Sequence, residues 1–136
     1  MNLTLDQYFA GYPNHPEIND VIRANAALLL AQVNRLCTDA EQEGIAFPIN
    51  PATRTQIAGE KNGGWRPQEC PIGAPSSAHK QGMAVDIYDP EGSFDDWLTD
   101  DTLMQYALYR EDPGSTRGWC HLTTRAPRSG KRTFFP

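Results

Sequence analysis

The chain has little of several things that would classify it at once. Of its 136 residues, three are cysteine and three are histidine. Cys37, Cys70 and Cys120 form no CxxC pair and make an odd number, which argues against a disulfide framework and against a cysteine-rich zinc module. They read as small buried apolar residues. No apolar run, including the one around Leu29, approaches the roughly 20 residues of a membrane span. The N-terminus "MNLTLDQYFAGYPNHPE" lacks the basic start and apolar stretch of a secretion signal. A soluble chain synthesised in the cytoplasm, with no membrane partner, is therefore expected. Acids are missing from one region: the last 20 residues hold Arg117, Arg125, Arg128, Lys131 and Arg132 and no Asp or Glu. The first 116 then carry seven basic and 17 acidic side chains, a formal −10, which argues against a nucleic-acid partner. The basic tail reads most simply as a solvated strand pair, with attraction for a carboxylate-bearing ligand left open.

What is present fits one domain over residues 1–136, with an N-terminal helical part over 1–46 and a second part over 47–136 that holds the chemistry. Apolar residues recur in steps of three and four at Ile18, Val21, Ile22, Leu28, Leu29, Val33, Leu36 and Ala40, and Gly44 follows as a stop, so one long helix is expected over 18–43. "LTLDQYF" reads as a short helix before it. His15, in the Pro-rich "YPNHPE", reads as an exposed loop residue with no ligand role. Residues 47–75 are rich in Pro and Gly, with at most short strands near 55–58 and 64–66. "MAVDIYD" alternates as a strand, Met83, Val85 and Ile87 on one face and Ala84, Asp86 and Tyr88 on the other. "SFDDWL" reads as a helix start capped by Ser93, with a break near Asp100 and continuation to about Tyr109. "WCHLTTR" and "KRTFFP" read as an antiparallel hairpin joined by "APRSG". The order predicts an α+β fold, a small antiparallel sheet with helices packed on it.

A catalytic zinc takes about three protein ligands from His nitrogen and carboxylate oxygen. His79 precedes a strand, Asp86 lies within it, and His121 lies in a later strand; if those strands are neighbours, the three converge. On pattern alone, a strand His or Asp is more often satisfied by hydrogen bonds than by a metal. "SSAHKQGMAVD", however, resembles the SxHxxGxAxD motif of the zinc D,D-peptidases, the VanY-like and D-Ala-D-Ala metallopeptidase group that includes phage L-alanyl-D-glutamate endopeptidases. Ser77, His79, Gly82, Ala84 and Asp86 stand at the motif's positions. "GWCHL" resembles the family's second histidine strand, and "GGWRP" its upstream "GYRP" segment. The likeness runs from about Gly63 to His121.

The resemblance implies a hedgehog/D,D-peptidase-like fold and a zinc ion held by His79, Asp86 and His121. It also implies a catalytic Arg66 that stabilises an oxyanion, and a Ser77 that contacts substrate. Stacking of Arg66 on Trp65, and a turn-capping role for Ser77, are the alternatives. Cys120 alternates with His121 and should face the opposite side. The family carries its acid–base carboxylate three residues before the second histidine, and that position is Gly118, which transfers no proton. Glu69, Glu60, Glu111 and Asp112 are the candidates to replace it, Glu69 being preferred because it follows the Arg66 segment. The activity implied is zinc-dependent hydrolysis of a peptide bond in peptidoglycan, by a carboxypeptidase or endopeptidase of phage origin that acts on the cell wall as an endolysin or within a virion. The alternative from another class is a catalytically silent, zinc-bound module that binds the wall or neighbouring phage tail proteins.

Overall fold

Thr4 and Asn19 set the two N-terminal helices in the computed structural model, which describes residues 1–136. Thr4 accepts from the backbone N–H of Gln7 while the Gln7 side chain accepts from that of Thr4, a reciprocal cap that opens α1, Leu5–Phe9. Asn19 accepts from Ile22 N–H and opens α2, Asp20–Gln42. The long helix is thus where the periodicity predicts it, two residues shorter at its start. Its buried stripe is Ala26, Leu29, Leu30, Val33, Leu36, Cys37 and Ala40. Val21 and Leu28, part of the expected apolar series, are exposed.

The remaining elements are β1 (Ala84–Asp89), α3 (Ser93–Trp97), α4 (Asp100–Gln105), β2 (Tyr109–Glu111), β3 (Gly118–Thr123) and β4 (Thr133–Phe134). Single turns of 3₁₀ helix lie at Ala78–Gln81 and Pro113–Ser115. The strands form one sheet in the order β1-β3-β2-β4. β1 and β2 both run antiparallel to β3, and β4 runs parallel to β2. The α+β class is as expected, but the sheet is mixed and the expected β3–β4 hairpin does not form. Both edges of β3 are already taken by β1 and β2, so the returning chain pairs with the free edge of β2. β2 itself lies where the helix was expected to end, because α4 stops at Gln105 and Ala107 adopts a left-handed φ of 55°.

No regular strands form over 55–58 or 64–66. The segment from Gln56 to Gly63 instead runs beside the outer edge of β1: Ala58 N–H donates to Asp86 C=O, Asp86 N–H to Gly63 C=O, and Tyr88 N–H to Gln56 C=O. One face of the sheet is apolar. Val85, Ile87, Cys120 and Leu122 join the α2 stripe, Tyr8, Trp65 and Phe94 in a single core of 21 buried residues. No helix is long and apolar enough to cross a membrane.

Ser93 is the first residue of α3 and makes no side-chain cap. The cap comes from the end of β1, where the buried Asp89 carboxylate accepts from Phe94 N–H at 3.1 Å and from Asp95 N–H at 3.0 Å. Asp89→Ala should therefore leave two buried donors unpaired and cost about 1–2 kcal/mol, read as a lowered urea midpoint with an unchanged slope. A midpoint equal to that of the parent would show that α3 does not depend on this contact.

Candidate metal centre

The pairing of β1 with β3 sets Asp86 opposite His121. The register of β2 with β3, carried on by one residue, brings Glu111 alongside His121, and β4 sets Phe134 opposite Glu111. Residues paired across strands share a face. Asp86, His121, Glu111 and Phe134 therefore form a row across the side of the sheet away from the core, flanking a cleft of about 650 Å³ that all four line.

His79 reaches this row from outside the sheet. It sits in the 3₁₀ turn Ala78–Gln81, which Gly82 closes with a φ of 74°. A β-carbon at Gly82 would stand 2.7 Å from the carbonyl oxygen of Ile22, so both conformation and space call for glycine. His79 Nδ1 lies 2.8 Å from the Gly64 carbonyl, an acceptor only, so this nitrogen carries the proton and the lone pair of Nε2 faces the cleft. The Trp65 indole donates to Lys80 C=O, Arg66 N–H donates to His79 C=O, and the buried Lys80 ammonium donates to Gln68 and Cys70 carbonyls. These bonds lock the turn bearing His79 onto the segment bearing Arg66.

Three donor atoms converge. His79 Nε2 lies 3.3 Å from His121 Nδ1 and 3.3 Å from Asp86 Oδ1, and His121 Nδ1 lies 2.8 Å from the same oxygen. The three residues form a group able to hold a metal ion. Arg66 Nη2 stands 3.4 Å from Asp86 Oδ2, so the carboxylate gives one oxygen to the arginine and the other to the histidines. Burial alone would raise the Asp86 carboxyl, but the His79 and His121 rings, in their protonated forms, outweigh it and hold the group well below the usual carboxylate range. An anion is thus kept among neutral-capable nitrogens, which is the donor set a divalent cation needs.

Arg66 is buried and its Nε donates to Asn62 C=O at 2.7 Å. No stacking on Trp65 is found; the guanidinium faces the cleft. Ser77 borders the cleft and its hydroxyl caps nothing. Trp119 is also in the wall, whereas Trp65 is core. Cys120 is fully buried on the opposite face, where burial pushes its thiol up and keeps it neutral.

The expectation for Glu69 is not met. Its largely exposed carboxylate lies 3.1 Å from His15 Nε2, outside the cleft, and this hydrogen bond holds its carboxyl below the usual range. His15 is likewise not a free loop residue. Its ring is mostly covered, lies 5.3 Å from that of Trp65, and accepts the Glu17 N–H at Nδ1, so that Nε2 carries the proton toward Glu69. With Glu17 the pair makes a second cluster of metal-binding residue types, but its nitrogens are already engaged. The carboxylate that does reach the cleft is Glu111. Burial raises its carboxyl above the usual range, partly offset by His121. Its position on β2 was hidden because that strand is three residues long and follows a helix.

Comparison with family models, with curated proteins and with solved structures returns no match. The geometry itself makes a measurable statement. Purified protein should carry about one divalent metal per chain by elemental analysis, and His121→Ala should carry little, since two remaining donors hold such an ion poorly. Equal metal content in the two proteins would place any ion elsewhere.

Proposed function

We propose that the chain is a zinc metallopeptidase that hydrolyses a peptide bond in the stem or cross-bridge peptides of peptidoglycan. The observation that carries this reading is the convergence of His79 Nε2, Asp86 Oδ1 and His121 Nδ1 beside Glu111 and Arg66 in one cleft. Zinc bonds of about 2.0–2.1 Å set the donors of a tetrahedral ion roughly 3.3–3.5 Å apart. The two His79 distances, both 3.3 Å, have that value, and the shorter 2.8 Å contact is the hydrogen bond that His121 and Asp86 make with each other. When bound, zinc supplies a Lewis acid for the scissile carbonyl and lowers the pKa of water toward about 7.

The protein's own residues do the rest. Glu111, half-buried and on the same row as two of the ligands, accepts the proton from the attacking water and delivers it to the departing amine nitrogen. Arg66 is anchored by Asn62, Ile72 and Asp86, so its charge is fixed before negative charge develops on the carbonyl oxygen. Ser77 offers a free hydroxyl to the bound peptide. The substrate class rests on the likeness of "SSAHKQGMAVD", "GGWRP" and "GWCHL" to the zinc D,D-peptidases, and the phage setting rests on the same likeness. Gly118, at the family's acid–base position, favours the silent wall-binding module; Glu111 in the cleft favours hydrolysis.

Release of new amino groups from purified peptidoglycan distinguishes the two. Glu111→Gln should lower it about 10²- to 10⁴-fold at unchanged zinc content, while Glu69→Gln should leave it near the parent level. Release that survives Glu111→Gln would remove Glu111 from the mechanism. Co-sedimentation of the parent with the wall and no release at all would favour the silent module.

A further inference from the structure

The side of the cleft beyond the metal-binding group is built from basic residues that the hydrolytic steps do not use. Along β3, Trp119, His121 and Thr123 alternate into the cleft, and Arg125 continues that series just past the strand. Arg125 is half-buried. Its Nη1 donates to the Ser76 carbonyl at 2.5 Å and to Gln81 Oε1 at 2.8 Å, which draws the guanidinium across to the turn that bears Ser77 and His79. Both acceptors are neutral. Arg66 and Arg110, by contrast, each pair with a buried aspartate. No carboxylate lies within 4.0 Å of Arg125 or of Arg128, which stands exposed at the mouth of the same cleft.

A guanidinium that is fixed at one nitrogen, keeps its other donors free and has no counter-charge is suited to a planar anion. The chain as a whole has a net charge of −5, whereas Arg125 and Arg128 bring two positive charges without a carboxylate contact to the lining of this one cleft. We propose that Arg125, assisted by Arg128, forms a carboxylate-binding subsite that determines which peptides are cut. Because Arg125 and His79 line the same cleft, the subsite selects substrates with a free carboxylate close to the scissile bond. The carboxylate belongs either to the peptide's C-terminus or to an acidic side chain. The inference rests on the peptidase reading for its substrate class, but binding tests it independently of turnover.

Three synthetic stem pentapeptides serve as probes: the free acid, the C-terminal carboxamide, and the form with its glutamate carboxyl amidated. Equilibrium binding to metal-free protein is measured by calorimetry, and KM and kcat are measured with the zinc-loaded protein. In the parent, amidation of the recognised carboxylate should weaken binding about tenfold or more, the loss of one charge-assisted contact. Which amide weakens binding identifies the source of the carboxylate. In Arg125→Met the acid and amide forms should bind alike, Arg125→Lys should keep part of the preference, and Lys131→Met, in the same basic segment but outside the cleft, should keep all of it. A purely structural Arg125 would weaken all three peptides equally and leave their ratio unchanged. That result, or a parent that binds acid and amides alike, overturns the proposal. A preserved preference with no cleavage of any peptide would instead remove the peptidase reading and leave the subsite standing.

Discussion

The antiparallel pairing of β1 with β3, with Asp86 opposite His121, is the constraint on which the rest depends. Side chains alternate along a strand, so a slip of one residue would turn His121 into the core and Cys120 into the cleft. The core prevents that slip, because Val85, Ile87, Cys120 and Leu122 are fully buried against the helical layer. Asp86 adds its own condition. A buried carboxylate is tolerated only with partners, and removing one of a buried set typically costs about 3–5 kcal/mol. Here Arg66 and His121 supply them, and the His121 contact belongs both to the metal-binding group and to the charge compensation.

His79 and Arg66 come from irregular chain, and the structure gives them the rigidity that the sheet gives Asp86 and His121. The Gly64 carbonyl fixes the His79 ring, and Asn62 and Ile72 carbonyls fix the Arg66 guanidinium. Lys80, between them, is buried with its ammonium on two carbonyls of the 68–70 loop. Such outer contacts decide whether a donor set is preorganised or must be assembled on binding. Tight approaches follow: a β-carbon at Gly64 would stand 2.2 Å from the Tyr8 carbonyl oxygen, so α1 also bears on where the Arg66 segment lies.

Much of this was legible in the sequence. Leu29, Val33, Leu36 and Ala40 mark the long helix, the alternation of "MAVDIYD" marks β1, and "SSAHKQGMAVD" together with "GWCHL" points to His79, Asp86 and His121 as one group. Three of the errors share a cause. Which edge a two-residue strand such as β4 joins depends on which edges other strands have filled, and nothing local in "KRTFFP" records that β3 is central. Nearness to Arg66 in sequence favours Glu69 over Glu111, yet the cleft is defined across strands, where register brings Glu111 beside His121. His15 looked exposed because the Trp65 ring that covers it is 50 residues away in the chain. The misses at β4, Glu69 and His15 concern contacts between distant segments, whereas those at Ser93 and at the end of α4 are local; the successes concern a periodicity or a motif.

The most direct measurement is amine release from purified peptidoglycan as metal-free protein is titrated with zinc. A single site made of His79, Asp86 and His121 predicts release that rises in proportion to added zinc and levels off at about one equivalent per chain. Release that is absent at every zinc concentration, or that is already complete without zinc, would contradict the account.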